Sequence, residues 1–448
     1  MGLEWLAVLM FLGIFAALAL GYPVGPTFAG VAILFAAVGL ATGTFSFRLF
    51  GLLQNRWFGT MSNFSYLAIP YFVYMGTVLE KSGLAEELLE TVGRLFGRVR
   101  GGLAVGVVLV GALLGATTGV VAASVITMGV ISLPVMLRNG YDRRFATGVI
   151  ASSGTLAQII PPATVLIILA DQLGVPLGNL FVGAIIPGLI LVVAFVIYCL
   201  TAAALRPKLA PAVVDPNPLR GGALVLKVIR SLAPTLGLIF VVLGSIYYGI
   251  ATPSEAGAVG AFGALLLAAA YRKFNFKLLK DAAMDTVRIT SLVVLILFGS
   301  TMFSLVFDGL GGTRLMVDLL SGLPGGYWGF IAVAMVAVFL LGIFLEFIEI
   351  CFITLPIFVP AAQALGIDLT WFGILMALNL YTAFISPPVG FTLFYLSSVA
   401  PPEVKIGDIF RGVIPFMVVS LIVLGVVMAF PQTVTYLTTR SAAGFMSP

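Results

Sequence analysis

The chain has 448 residues, 61% of them hydrophobic and 9% charged, and a formal net charge of +5. A soluble globular domain carries about 25% charged residues, so the composition excludes that class and places the chain in a bilayer. Histidine is absent, and the only two cysteines, Cys199 and Cys351, lie far apart in apolar runs, which leaves little material for a zinc site, a Cys/His nucleophile pair or a disulfide framework.

Spanning hydrocarbon takes roughly 20 apolar residues. In chain order, runs of about that length predict helices over 3–21, 26–43, 65–79, 143–172, 180–205, 231–250, 253–271, 289–307, 369–397 and 412–431. The first lacks a basic leader and a cleavage site, so it reads as a retained helix and not a signal peptide. The segment 80–102 is amphipathic, acids first and arginines last, and suits a helix lying along the membrane surface; 272–288 looks similar. Thr252-Pro253-Ser254-Glu255 has the pattern of a capping box with proline at the first helical position, so Glu255 reads as a cap.

Two further apolar stretches, 102–137 and 327–364, are interrupted near their middles by small or polar residues. Treating each as a hairpin that enters and leaves on one side puts all of the 23 basic residues on one face except Arg48, Arg56, Arg314 and Arg440. By the positive-inside rule that face is cytoplasmic, and both termini point outward. Basic membrane borders then account for the positive charge, with no nucleic-acid partner required.

The linker 206–230 divides the chain, and landmarks before it return after it in the same order. "GPTFAG" at 25–30 matches "TPSEAG" at 252–257, "ISLPVM" at 131–136 matches "ITLPIF" at 353–358, and Pro161-Pro162 matches Pro387-Pro388. The sequence therefore predicts an all-α polytopic membrane protein built as an inverted repeat, with two re-entrant helical hairpins and two broken helices. Residues 1–205 form the first repeat, with scaffold helices over about 1–80 and hairpin plus broken helix over 101–175. Residues 231–435 form the second, with scaffold over 231–307 and hairpin plus broken helix over 327–397, and 436–448 are a tail.

The double prolines fix the breaks, because proline deletes a helical hydrogen bond and clashes with the preceding turn. The first helix is expected to unwind from Ser152 to Pro162 and the second from Thr382 to Gly390. Unpaired backbone at membrane depth is tolerated only against protein or a water-filled cavity, where carbonyls can ligate Na⁺ and half-helix N-termini can hold a carboxylate. The acid would then meet Ser153, Gly154, Thr155, Thr382, Ser386, Pro387 and Gly390. Gly115, Thr117, Thr118 and Gly119 form either a hairpin tip with exposed carbonyls and hydroxyls or a small-residue packing face. Glu346 and Glu349 share a helical face in the second hairpin, either as ion ligands or as partnered structural carboxylates.

At "SGTLAQIIPP", "GIFLEFIEICFITLPIFVP", "SPPVGFTLFYL" and "TPSEAGAVG", over essentially residues 1–435, the chain resembles the large membrane (DctM-type) subunit of tripartite ATP-independent periplasmic (TRAP) transporters. In look it is nearest the mannitol, chloroaromatic and 2-oxo-acid branch. The resemblance implies an ion-transporter-superfamily fold of elevator type, located in the bacterial inner membrane. It also implies Na⁺ coupling, a small membrane subunit (DctQ-type) and a periplasmic binding protein (DctP-type) that delivers an organic acid. No spans precede residue 1, so the small subunit is expected as a separate chain. Carried onto matching positions, Na⁺ ligands would come from Gly115, Thr117, Thr118 and Gly119 with Ser152 to Thr155, and from Leu345 and Glu346 with Thr382 to Ser386. The tip here is Thr-Thr-Gly where many relatives are serine-rich, which favours carbonyl over side-chain ligation. The rivals are a stand-alone Na⁺/anion symporter of the same fold and a non-transporting assembly subunit; the lack of a paired buried nucleophile and base argues against an enzyme.

Overall fold

A computed structural model describes residues 5–83, 91, 99–212 and 222–445, with backbone alone at Thr118, 222–228, Ser231 and 441–445. Among the described residues there are helices and turns and no strand. The helices run α1 Trp5–Ala19, α2 Val24–Ala41, α3 Gly51–Ser62 and α4 Ala68–Lys81, then a hairpin of α5 Gly102–Thr118 and α6 Val121–Arg138. Next come α7 Arg143–Thr155, α8 Thr164–Leu173 and α9 Leu177–Leu205. After the linker follow α10 Gly222–Tyr247, α11 Pro253–Ala270, α12 Phe276–Gly309 and α13 Gly312–Ser321. A second hairpin, α14 Tyr327–Gly342 and α15 Phe347–Ala364, leads to α16 Leu369–Phe384, α17 Phe391–Val399, α18 Ile406–Ala429 and α19 Gln432–Phe445.

Seven described helices, α2, α6, α9, α11, α12, α15 and α18, are long and apolar enough to cross a membrane. The 34 residues of α12 rise about 50 Å, well beyond the roughly 30 Å of hydrocarbon, so this helix continues past the apolar layer. It absorbs the separate surface segment expected over 272–288, because nothing between Asn275 and Gly309 breaks a helix; Asn275 caps its start by accepting from the Leu278 amide at 2.8 Å. Two other expectations also shorten. The linker does not extend to 230, since no proline lies between Pro218 and Arg230 and α10 is helical from Gly222; residues 213–221 lie outside the described residues. The tail expected from 436 is helical to Phe445, started by Pro431 just before α19. The amphipathic segment 80–102 falls mostly outside the described residues. The Thr252–Glu255 capping box is present, with Glu255 Oε2 accepting from the Thr252 amide at 2.8 Å.

Helices α14 to α18 repeat the order of α5 to α9, from Gly102 against Tyr327 at one end to Leu177 against Ile406 at the other, 225 and 229 residues on. Their contacts are exchanged between halves: α8 packs on α15 of the other hairpin, and α17 packs on α6. Likewise α4 lies on α11 while α2 lies on α12. Lipid offers no hydrophobic drive for helices to associate, so close backbone approach at small residues carries much of this packing. A Cβ at Gly148 on α7 would stand 2.1 Å from the Gly412 carbonyl on α18, and one at Gly412 would stand 2.1 Å from the Arg144 carbonyl. Above that crossing, Arg144 pairs with Asp408 at 3.3 Å, and Arg143 donates to the Glu403 carbonyl at 2.8 Å.

Candidate functional site

Both double prolines sit at helix breaks, and both bonds, Pro161-Pro162 and Pro387-Pro388, are cis. The breaks are narrower than expected. In the first half α7 continues through Thr155, a 3-10 turn follows over Leu156–Gln158, and the chain is open only over 159–163 before α8. Ser152, Ser153, Gly154 and Thr155 therefore lie in the last turn of a helix and not in unwound chain. In the second half Thr382 is likewise helical, and the break spans 385–390, holding Ser386, Pro387, Pro388 and Gly390. The reason is geometric: proline forbids helical geometry chiefly at the residue before it and removes bonds to the turn before that, so its reach is about one turn and not nine residues.

The first hairpin tip is tighter than expected too. Gly115, Thr117 and Thr118 are the last turns of α5, and Gly119 alone turns the chain, in a left-handed conformation at φ +60°. The buried Thr117 hydroxyl donates to the Leu114 carbonyl at 2.9 Å, and the Thr118 side chain lies outside the described residues. This turn is laid over the first break: a Cβ at Gly115 would meet the Ala157 nitrogen at 2.8 Å, and one at Gly119 the Pro162 carbonyl at 3.0 Å. The Thr164 hydroxyl, at the start of α8, donates to the Gly119 carbonyl at 2.7 Å and ties tip to break. The glycines at this turn thus allow close packing of α5 on the break.

The second tip, 343–346, ends with Glu346 as the residue before α15. Glu349 Oε2 accepts from the Glu346 amide at 3.2 Å, so Glu349 is partnered as a helix cap. Leu345 donates its amide to the Leu341 carbonyl at 2.8 Å. Gly342 lets α14 approach α16: a Cβ there would stand 2.5 Å from the Ala383 methyl.

Between the halves the two broken helices touch. The Tyr381 hydroxyl donates to the Ser152 carbonyl at 2.9 Å, and the Thr155 and Thr392 hydroxyls lie 2.9 Å apart. The Thr382 hydroxyl donates within its own helix to Leu378 at 2.8 Å. Gly390 (φ +41°) is wrapped by its own loop, a Cβ there falling 2.7 Å from the Ser386 carbonyl and 2.8 Å from that of Phe384, so carbonyl oxygens converge at the second break. Buried Ser152, Ser153 and Gln158 carry side-chain polar atoms with no partner.

Tyr381, Thr392, Thr164 and Gln158 were not among the residues expected here. Asp142 and Asp368, which cap α7 and α16 by accepting from the Phe145 and Trp371 amides at 3.1 and 2.9 Å, were also missed. The signal for the caps is in the sequence: "GYD" at 140–142 and "GID" at 366–368 are separated by the same 226 residues as the double prolines.

Residues 11–433 match the family described as "Tripartite ATP-independent periplasmic transporter, DctM component". The chain belongs to the DctM family. Among its relatives is the C4-dicarboxylate TRAP transporter large permease protein DctM of Pseudomonas aeruginosa, 30% identical over 85% of this chain and 87% of that protein. Another is the 2,3-diketo-L-gulonate TRAP transporter large permease protein YiaN of Escherichia coli, 29% identical over 96% and 98%. The fold is shared with the crystal structure of the Alcanivorax borkumensis YdaH transporter, with a TM-score of 0.63 at 15% identity over 86% of this chain and 89% of that one. This DctM-family chain is accordingly a multi-pass inner-membrane permease and not an enzyme.

Proposed function

We propose that this permease imports an organic acid together with Na⁺ by elevator-type alternating access. It would work with a separate small membrane subunit and a periplasmic binding protein. The observation that carries this reading is the pair of proline breaks, each followed by a half-helix that packs on the hairpin of the opposite half. Reciprocal packing of this kind is what an inverted repeat produces, and inverted repeats place substrate and ions where broken helices meet. Relatives named for C4-dicarboxylate and 2,3-diketo-L-gulonate support an acid as cargo.

Na⁺ suits the donors. The second break offers the Phe384 and Ser386 carbonyls around Gly390, and the first is preceded by the unpaired Ser152 and Ser153 hydroxyls, Ser153 lying against Gly111 of α5. Hard oxygen ligands without thiolate or imidazole match an alkali cation. An arriving Na⁺ offsets the charge of the acid at membrane depth, where an unpaired anion is costly. Leu345 and Glu346 remain part of the proposed second-half ion site, with the hairpins re-entrant, the halves inverted and both termini periplasmic. The rigid bodies would be the scaffold of α1–α4 and α10–α12 and a moving unit of both hairpins and both broken helices.

The test is uptake by proteoliposomes holding the chain, its small subunit and its binding protein. Uptake is expected to follow an inward Na⁺ gradient and to stop when that gradient is dissipated; uptake indifferent to Na⁺ defeats the reading. Replacing Pro161 and Pro162 by alanine is expected to abolish it, whereas full activity in that variant would support a passive assembly subunit.

A further inference from the structure

The first break contains a group that the second does not. Gln158, in the 3-10 turn ahead of the prolines, is fully buried, and neither its amide nitrogen nor its amide oxygen has a hydrogen-bond partner. Aligning the double prolines puts Phe384 at the matching place in the other half, so the turn itself does not require an amide. Asn379, the buried amide of the second half, is satisfied: it donates to the Met335 carbonyl at 2.7 Å. Burying a polar group without a partner costs about 1–3 kcal/mol, and native structures hold few such groups. Here the whole amide is left over, and so are the Ser152 and Ser153 hydroxyls six and five residues before it.

An amide offers a donor and an acceptor side by side. Its complement is a molecule that accepts at one atom and donates from the next. A plain carboxylate, a dicarboxylate or an oxo acid carries only acceptors at neutral pH, and would leave the amide oxygen as unpaired as before. A carboxylate with a hydroxyl on the neighbouring carbon satisfies both ends.

We propose that Gln158 is a substrate-binding residue whose amide nitrogen donates to the carboxylate of the cargo while its amide oxygen accepts from an adjacent hydroxyl, so that the permease selects 2-hydroxy acids over their deoxy counterparts. This rests on the transport reading above. These atoms are buried, so the acid enters when the tip held by Thr164 on the Gly119 carbonyl lifts off the break.

The test is thermal unfolding of the purified full chain in Na⁺ buffer, titrated with lactate against propionate and malate against succinate. In at least one pair the hydroxy acid is expected to act at about tenfold lower concentration, the equivalent of one buried hydrogen bond. Gln158→Met is expected to erase that preference and to raise the unfolding temperature without ligand, since it removes two unpaired polar atoms; a merely structural glutamine would give a lower temperature instead. Gln158→Glu keeps the size and is expected to abolish stabilisation by either acid. The proposal is overturned if hydroxy and deoxy acids act equally on the unaltered chain, if Gln158→Met keeps the preference, or if that variant loses only its response to Na⁺, which would give the oxygen to the cation. Should Na⁺-driven uptake of some acid persist in the reconstituted system while these outcomes are seen, this proposal fails and the transport reading stands. Absence of any Na⁺-driven uptake fails the transport reading itself.

Discussion

The two helix breaks share a sequence device and differ in almost everything around it. The first is sealed: Pro161 and Pro162 are buried, and α5 lies over them through Gly115 and Gly119. The second is open: Pro387 is half-buried and Pro388 exposed. Polar groups are arranged the other way round. The open break is preceded by paired side chains, with Asn379 on the Met335 carbonyl, Tyr381 on the Ser152 carbonyl and Thr382 on the Leu378 carbonyl, while the sealed one leaves the Ser152 and Ser153 hydroxyls and the Gln158 amide unpaired. The two proline pairs thus supply the same backbone discontinuity, and the side chains around each decide which break has bonding capacity left over.

The clamp on the sealed side gives the largest expected effect. Gly148 and Gly412 cross backbone to backbone, and the residue matching Gly148 in the second half is Ile374, so of the two helices that lead into the breaks α7 is held this way and α16 is not. Gly412→Leu forces its side chain into the Arg144 carbonyl and is expected to cost about 3 kcal/mol, the upper end of overpacking. Gly425→Leu, on the same helix where a Cβ meets nothing within 4 Å, is expected to be near neutral. SDS-induced unfolding of the two variants measures the difference, and equal midpoints would remove the clamp from the comparison.

Next comes the tie between tip and break. Thr164→Val keeps the shape and deletes the hydroxyl that donates to the Gly119 carbonyl, leaving a buried carbonyl short of its partner at an expected cost of about 1–3 kcal/mol. Thr392→Val, at the second half-helix, breaks a contact between two hydroxyls, of which Thr155 keeps its bond to the Ala151 carbonyl at 2.7 Å, and is expected to cost less. The same unfolding assay ranks them, and a reversed order would place the tighter closure on the second break.

Exposure itself is open to a thiol probe. Cys199 and Cys351 are fully buried, so the native background is low. A cysteine at Val389 is expected to react with a membrane-impermeant maleimide about tenfold or more faster than one at Ala163, whose modification requires local opening. Equal rates would mean that the first break opens as freely as the second.

Much of this was legible in the residues. Pro161-Pro162 and Pro387-Pro388 located both breaks, and the Thr252–Glu255 box located the start of α11, because proline and capping chemistry act over one turn and are written in adjacent letters. How far each break extends was not legible from composition. The run from Ser152 to Thr155 is small and polar, which suits an unwound strand or a tightly packed helix end equally, and the choice is made by α5 and α6, which crowd Gly111 against Ser153 and Val125 against Gly154. The pairing of Tyr381 with Ser152 joins residues 229 apart across the two halves, and only their packing brings them together. Helices α3 and α13 escaped notice for a different reason, being too short to register as spans.

Tyr381 carries the smallest and most specific expectation. At the end of α7 the Leu156 amide turns to the Ser153 carbonyl, tightening the helix into its 3-10 turn, and so does not take the Ser152 carbonyl that a continuing α-helix would use. The Tyr381 hydroxyl, from the other half, takes that carbonyl at 2.9 Å. The 3-10 turn that ends α7 and the contact between halves are therefore one feature. Tyr381→Phe keeps the fully buried ring and loses the hydroxyl that makes this bond, an expected cost of about 1 kcal/mol. Because the freed carbonyl can recover the Leu156 amide, the variant is expected to let α7 lengthen by a residue or two toward the prolines, slowing amide exchange at 156–158. Unchanged exchange together with unchanged stability would show that the first break is set by its own prolines alone, independent of the second half.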